Sequence, residues 1–168
     1  MPDRMRGTTL WPLASLADID SDVHASHLRK YQDRPALPER PVEPLDCTWA
    51  ECVFLCPVDP QQLVSAARTV HPNLPARDWF VIDADLLEAE RTVLFKPDRW
   101  DPATGPPPVT TKECELFTPR TLAAASTATN ATLTRLTDAS NRMPLFVDVI
   151  DVLHRGPIDV TAAQTLTA

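Results

Sequence analysis

In the first predicted helix of the chain, histidine and tyrosine side chains occupy positions on the face that would otherwise be apolar. Between residues 20 and 34, a projection at about 100° per residue brings one set of side chains to a single face: Val23, His24, His27, Leu28 and Tyr31. The two histidines lie in the middle of this face, so we expect both to point inward. A buried imidazole needs hydrogen-bond partners. The pattern therefore predicts a helix that carries either a polar network or a functional site.

Most other apolar runs are typical of strands, because they are short and rich in branched and aromatic side chains. They occupy residues 8–11, 49–55, 79–83, 92–96, 112–117, 145–153 and 158–160. We expect residues 49–55 to form a central strand. We also expect the runs at 79–83 and 92–96 to be neighbours in the sheet.

Two further helices are indicated by a capping residue that precedes a proline. Asp59-Pro60 predicts a helix to about residue 69, and Thr118-Pro119 predicts a long helix to about residue 139. With the histidine helix they make about three helices, beside six to seven short strands. The prediction is an α+β fold with a mixed or mostly antiparallel sheet.

Proline is abundant and glycine is scarce, with 18 and three residues respectively. Four prolines recur at every third position, the period of polyproline II: Pro35, Pro38, Pro41 and Pro44. Residues 34–45 are therefore expected to run extended. Residues 97–109, with Trp100 in the middle, are expected to form a proline-rich loop. The segment around Pro38 and Arg40 also fits an SH3-ligand pattern, although a stiff connector is the more ordinary interpretation.

Charge and length exclude several classes of protein. The net charge of −7 argues against a nucleic-acid partner, since such proteins carry clustered positive charge. No apolar run approaches the length that spans a bilayer, and no secretory signal is evident, so we expect a cytoplasmic protein without a membrane partner. The length suits a single domain over residues 1–168. Three glycines exclude Rossmann and P-loop nucleotide sites.

The four cysteines are expected to remain thiols in a chain of this kind. The first three follow a C-x4-C-x3-C spacing, which is not a standard zinc pattern: Cys47, Cys52 and Cys56. The two helix histidines lack the H-E-x-x-H pattern, so no metal site is predicted. Cys47 is a candidate nucleophile if His24 or His27 acts as its base. The alternative is a set of structural buried thiols.

The candidate chemistry centres on the histidine helix. His24 and His27 suit proton transfer near neutral pH, and the Tyr31 hydroxyl can donate to a substrate oxygen. Arginines near the helix can hold a carboxylate or a phosphate through two hydrogen bonds. The expected substrate-binding residues are Arg34, Arg40, Asp46, Trp49 and Glu51. Other carboxylates could supply a proton-transfer partner, although most are expected to be solvated: Asp83, Asp148 and Asp151.

One stretch of the chain resembles a known group of proteins. The pattern His24-x-x-His27-x-x-Lys30-Tyr31-x-x-Arg34, followed by Leu45-Asp46-Cys47-x-Trp49, resembles the amino-terminal part of small bacterial proteins known only as group-specific proteins. The resemblance covers residues 18–60. That group has no established activity, so the resemblance implies neither a substrate nor a mechanism.

Three functional hypotheses follow from these features. The first is a small bacterial enzyme that acts by acid–base chemistry on a polar small molecule, for example in specialised metabolism. The second is a non-catalytic interaction module that uses the proline-rich segments. The third is an NAD-dependent protein similar to ADP-ribosyltransferases, which would aim one glutamate at the ribose: Glu51, Glu113 or Glu115. The sequence alone selects no cofactor.

Overall fold

Short antiparallel strands and short helices alternate along the chain, which confirms the α+β class. The computed structural model describes residues 7–96, 105–138, 140, 145–146 and 149–168. The strands within these residues are β1 Thr9–Leu10, β2 Pro41–Val42, β3 Cys47–Thr48, β4 Cys52–Leu55, β5 Asp78–Val81, β6 Thr92–Phe95, β7 Cys114–Leu116, β8 Asp151–Arg155, β9 Ile158–Asp159 and β10 Gln164–Thr167. The helices are α1 Leu13–Ile19, α2 Ser21–Leu28, α3 Pro60–Arg68, α4 Pro119–Ala125 and α5 Asn130–Leu136. Five 3-10 turns join them: Arg29–Tyr31, Glu43–Leu45, Trp49–Glu51, Ala84–Leu86 and Ala89–Arg91.

The largest sheet has four antiparallel strands in the order β4-β8-β6-β7. Three two-stranded sheets pair β1 with β9, β2 with β3, and β5 with β10. An isolated parallel bridge between Val42 and Val109 ties the β2–β3 hairpin to the segment before β7. This hairpin is the element that positions the candidate site described below.

The two faces of the four-stranded sheet bury different apolar clusters, because successive side chains of a strand point to opposite faces. One face packs against the β2–β3 hairpin through Val42, Leu45, Cys52, Val93, Phe95, Val109 and Leu153. The other packs against β9 and α4 through Val53, Leu87, Leu94, Ala125, Val152, Ile158 and Val160. A third cluster includes side chains of α3 and α5: Val58, Leu63, Ala67, Ala128, Leu136 and Val149. The sheet is thus covered on both sides.

Both predicted helix starts are confirmed by their caps. The Asp59 carboxylate accepts a hydrogen bond from the Gln61 backbone N–H (2.8 Å), and the Thr118 hydroxyl accepts one from the Thr121 N–H (3.1 Å). The long helix expected from 118 to 139 is wrong, because α4 ends at residue 125 and α5 begins at residue 130. A second cap explains the break, since the Thr129 hydroxyl accepts from the backbone of α5.

Residues 34–45 do not form the extended segment that their prolines predicted. The Leu37 N–H donates to the Arg34 carbonyl (3.0 Å), and the Arg40 N–H donates to the Leu37 carbonyl (3.1 Å). Polyproline II has no internal hydrogen bonds, so these contacts define two consecutive turns. Pro35 and Pro38 occupy the second position of each turn, where a fixed φ is favourable. The three-residue period therefore marks repeated turns.

The strand order also differs from the expected one. Among the described strands β4 lies at an edge of its sheet rather than at the centre, and residues 49–51 before it form a 3-10 turn. β5 pairs with β10 near the end of the chain, so β5 and β6 are not neighbours. Residues 13–19, which belong to none of the predicted helices or strands, form α1. Residues 97–104 of the predicted proline-rich loop 97–109, including Trp100, lie outside the described residues.

Candidate functional site

Helix α2 places its histidines near the surface rather than in the core. Asp20 begins the helix by accepting a hydrogen bond from the Val23 N–H (3.1 Å), and Val23 is buried. His24 and His27 are half-buried, and Leu28 on the same predicted face is 38% exposed. The helix ends at Leu28 and continues as a 3-10 turn, so it is too short to build the wide inward stripe that the pattern predicted. The expectation that both histidines point fully inward is therefore wrong.

We call the group of His24, His27, Tyr31 and Arg34 the histidine patch. Burial lowers the pKa of His27, and the positive charges of Lys30 and His24 lower it further. A lowered pKa favours the neutral imidazole at pH 7, which can accept a proton. Tyr31 is half-buried and Arg34 is exposed. Among the described residues, no hydrogen bond or ion pair joins this patch to the predicted site residues of the β2–β3 hairpin.

Arg40 is a buried cation at the centre of a different group of side chains. It is 4% exposed, and its Nε donates to the Pro107 carbonyl (2.6 Å). Its guanidinium carbon lies 5.2 Å from the Trp49 ring centroid and 5.4 Å from that of Phe95. One of its Nη atoms lies 3.7 Å from the Glu113 carboxylate. Because these contacts hold the Arg40 guanidinium inside the protein, it is poorly placed to bind a substrate or an SH3-type partner.

Two of the three glutamates considered for contact with a ribose already accept hydrogen bonds from the backbone and side chain of a nearby threonine. The Glu51 carboxylate accepts from the Thr48 N–H (2.7 Å) and hydroxyl (2.9 Å), and these bonds lower its pKa. The Glu113 carboxylate accepts from the Thr110 N–H (2.9 Å) and hydroxyl (3.3 Å). Glu115 is exposed on β7. This arrangement does not favour a glutamate aimed at NAD.

Cys47 lies on β3 next to another thiol rather than next to a histidine. Its Sγ is 3.5 Å from the Cys52 Sγ, and this hydrogen bond is the main cause of the lowered pKa of Cys47. The Arg155 guanidinium lowers that pKa as well, whereas burial raises it. Asp46, just before Cys47, is exposed and has a left-handed φ of 46°, which ends the 3-10 turn before β3. The predicted Cys–His dyad is not formed among the described contacts.

A row of four side chains crosses one end of the four-stranded sheet, on the face that carries Trp49. The register pairs Phe95 with Asp151 on β8 and with Cys114 on β7. Leu55 pairs with Val152, so Cys56 follows next to Asp151. Neighbouring strands lie about 4.8 Å apart, and directly opposed residues share a face. We call this row, Cys56–Asp151–Phe95–Cys114, the sheet-end row.

Asp151 is the unusual member of the sheet-end row. It is half-buried, and burial raises the pKa of its carboxyl from 3.8 to about 7. Burial also raises the pKa of both thiols of the row to about 11, that of Cys56 next to Asp151 and that of Cys114 beyond Phe95. Trp49 packs on this face, and its ring centroid lies 5.8 Å from that of Phe95. The row therefore combines an aromatic wall with a carboxyl that exchanges its proton near neutral pH.

The sequence carries a signal for Asp151 that the expectation of a solvated carboxylate overlooks. Asp151 stands between Ile150 and Val152 in the most apolar late run of the chain, where an ionised side chain is unusual. Of the other two carboxylates in that group, Asp83 is exposed and caps a 3-10 turn, and Asp148 lies outside the described residues. The neighbours of Asp151 come from the two strands that flank β8, which are β4 and β6, so the local pattern could not identify them.

His154 is buried on β8, just beyond the predicted strand run 145–153. It is 2% exposed on β8, and its Nδ1 lies 2.9 Å from the Thr92 hydroxyl. That hydroxyl donates its single proton to the Glu88 carbonyl (2.7 Å), so it accepts from His154, whose Nδ1 carries the hydrogen. Burial lowers the pKa of His154. We interpret it as a structural histidine.

Comparison with known proteins adds no assignment to this geometry. No group of three or more metal-ligating side chains occurs within the described part of the chain. In the same residues, no helix has the length and apolar character needed to cross a bilayer. No family model, curated protein or solved structure matches the chain.

Proposed function

We propose that this protein is a small enzyme that performs acid–base chemistry on a polar small molecule at the sheet-end row, with Asp151 as the proton carrier. The observation that supports the proposal is a half-buried carboxyl whose pKa is raised to about 7. A group is most effective in proton transfer when its pKa lies near the operating pH. Asp151 meets this condition at neutral pH.

The surroundings of Asp151 favour a substrate with one polar end and one flat apolar part. The half-buried Trp49 and Phe54, with ring centroids 4.4 Å apart, form an aromatic surface on the same face, and Trp49 packs on the buried Phe95 beneath it. Such surfaces bind planar or apolar groups, while a few polar groups fix the orientation. The Cys114 thiol is protonated at neutral pH and can donate a weak hydrogen bond, whereas the Cys56 thiol already donates to the Val58 carbonyl (3.6 Å).

The histidine patch is a second candidate location for the same chemistry. His27 favours its neutral form near pH 7 because of its lowered pKa, so it can act as a general base. Tyr31 and Arg34 would then orient the substrate. Asp151 is the preferred proton carrier, because its raised pKa and aromatic neighbours create a more distinctive chemical environment than a partly exposed helix face.

Ligand-observed NMR with a library of polar aromatic and carbonyl fragments tests the proposal. Fragments should bind the wild-type protein, and their affinity should change across pH 7 as Asp151 titrates. Asp151→Asn should abolish both the pH dependence and most binding, whereas His27→Gln should leave both intact. Asp85→Asn, on an exposed 3-10 turn, is the matched control.

Proton exchange in heavy water measures the chemistry itself. Bound carbon acids should lose their acidic C–H signals faster with the wild-type protein than with Asp151→Asn. If Asp151→Asn binds and exchanges these fragments as the wild type does, the assignment of Asp151 is wrong. If His27→Gln alone removes the exchange, the reaction belongs to the histidine patch. The proposal takes the protein to be cytoplasmic, where thiols stay reduced.

A further inference from the structure

Two sulfurs at the base of the β2–β3 hairpin lie within reach of each other. Cys47 lies on β3, Cys52 begins β4, and their Sγ atoms are 3.5 Å apart. The chain between them forms the 3-10 turn Trp49–Glu51, which Thr48 and Glu51 cap reciprocally. A disulfide requires sulfurs about 2.05 Å apart, so a movement on the order of 1.5 Å would join them. The capped turn holds the two thiols side by side.

The two thiols differ in exposure and in protonation. Cys52 is 3% exposed, and its Sγ lies 3.7 Å from the Thr48 carbonyl oxygen. A carbonyl oxygen can only accept, so Cys52 keeps its proton in this contact. Cys47 is half-buried, and when it ionises, the single Cys52 S–H turns from that carbonyl to the Cys47 thiolate. The more accessible sulfur is thus the one that ionises.

A fixed cation lies close to this pair. Arg155, opposite Cys52 in the β4–β8 register, donates to the Leu45 carbonyl (3.0 Å) across the base of the hairpin. The Cys52 hydrogen bond has the largest effect on the pKa of Cys47 and lowers it, the Arg155 charge lowers it further, and burial and the Glu51 and Asp46 carboxylates act in the opposite direction. Positive charge and a donated hydrogen bond are the features that activate a thiol for exchange.

We propose that Cys47 and Cys52 form a reversible dithiol–disulfide site that exchanges with low-molecular-weight disulfides. The Cys47 thiolate attacks one sulfur of the small disulfide, forms a mixed disulfide and releases one small thiolate. The Cys52 thiol passes its proton to that thiolate and then attacks the Cys47 sulfur, which releases the second small thiolate. Two protein thiols are oxidised to one disulfide, and one small disulfide is reduced to two thiol equivalents.

The other cysteines provide matched controls within the same chain. Burial raises the pKa of Cys56 to about 11, and its thiol donates to the Val58 carbonyl (3.6 Å). Burial also raises the pKa of Cys114 to about 11. Neither has a second sulfur in contact among the described residues. Both should react much more slowly than Cys47 at neutral pH.

Mass spectrometry after exposure of the full chain to oxidised glutathione tests this site. The wild-type protein and the Cys56→Ser and Cys114→Ser variants should each lose two hydrogen masses, with fragmentation placing the new bond between Cys47 and Cys52. Cys52→Ser should stop at the mixed disulfide and gain one glutathione on Cys47. Cys47→Ser should gain none at an equal reagent concentration and time.

Competing outcomes are distinguishable. A bond mapped to Cys56, or glutathione that accumulates on Cys114 in the wild type, would overturn the proposal. So would Cys47 alkylation by iodoacetamide that is less than tenfold faster than that of Cys114 at pH 7, with circular dichroism confirming that the variants are folded. This test does not involve Asp151, so its result is independent of the proposed function.

Discussion

Replacement of Asp151 by asparagine should change the way stability depends on pH. The folded carboxyl has a pKa of about 7, compared with 3.8 for an ordinary aspartate. The folded state therefore binds more protons than the unfolded state between these values. Its favourable contribution is fully present below about pH 4 and is lost as the pH rises through 7. Asparagine has no such proton, so the variant does not lose this stability.

The size of the effect follows from the difference between the two pKa values. Each pH unit corresponds to about 1.4 kcal/mol, and the two values differ by about three units. The wild type should therefore be up to about 4 kcal/mol less stable at pH 8 than it would be with a neutral side chain at position 151. A change of that size is a large part of the stability of a typical domain.

Urea denaturation of the wild type and Asp151→Asn at pH 4, 6 and 8 measures this difference directly. We expect similar free energies of unfolding at pH 4 and a more stable variant at pH 8. Asp85→Asn removes a charge from an exposed turn and controls for the change in net charge. A difference between the wild type and Asp151→Asn that stays constant from pH 4 to 8 would show that the carboxyl is not held neutral by burial.

Three further predictions concern a buried cation, a helix cap and a glycine with positive φ, and urea denaturation measures each of them. Arg40→Met should lower the free energy of unfolding by about 3–5 kcal/mol, because it removes a buried charged donor and two ring contacts. Glu113→Gln should lower it by less than about 1 kcal/mol, because the Glu113 carboxylate lies 3.7 Å from the Arg40 guanidinium, too far for a strong hydrogen bond. Equal losses would contradict this division. Asp59→Ala should cost about 1 kcal/mol through the lost α3 cap, and Asp59→Asn should restore most of it. Gly156→Ala should lower the free energy of unfolding by about 1–2 kcal/mol, because φ is +96° and strains any residue with a Cβ, whereas the Arg91 guanidinium that the Cβ would meet can move aside. An unchanged midpoint would contradict that strain.

Local signals along the chain predicted local structure well. Asp59 and Thr118 begin helices because a side-chain oxygen and a following proline act within a few residues. The same physics explains the missed helix break, since the Thr129 cap was concealed in a uniform run of alanine and threonine. Seven of the described strands overlap predicted runs for a similar reason, because an apolar run identifies a strand without reference to its partner, whereas β2, β3 and β10 were missed because their residues form no such run.

The candidate site depended on contacts that no local pattern contains. Asp151 acquires its raised pKa where β8 meets strands that lie far away in sequence, and strand register decides which side chains it meets. The burial of the histidine helix also depends on contacts with residues that are distant in sequence. Periodicity placed Val23 on the buried side of the helix, but Leu28 is 38% exposed, and the depth of burial of His24 and His27 depends on what covers the helix.

The repeated proline turns before β2 stabilise the fold through conformational entropy as well as through contacts. Pro35 is exposed, yet its ring restricts the chain before folding begins, so fewer conformations are lost when the turn forms. Such a restriction is worth about 0.4–1 kcal/mol per proline where the native φ is compatible. The segment that positions Arg40 against the aromatic rings is therefore stabilised in part by the lower conformational entropy of the unfolded chain. A survey of native contacts alone would underestimate the contribution of these prolines to stability.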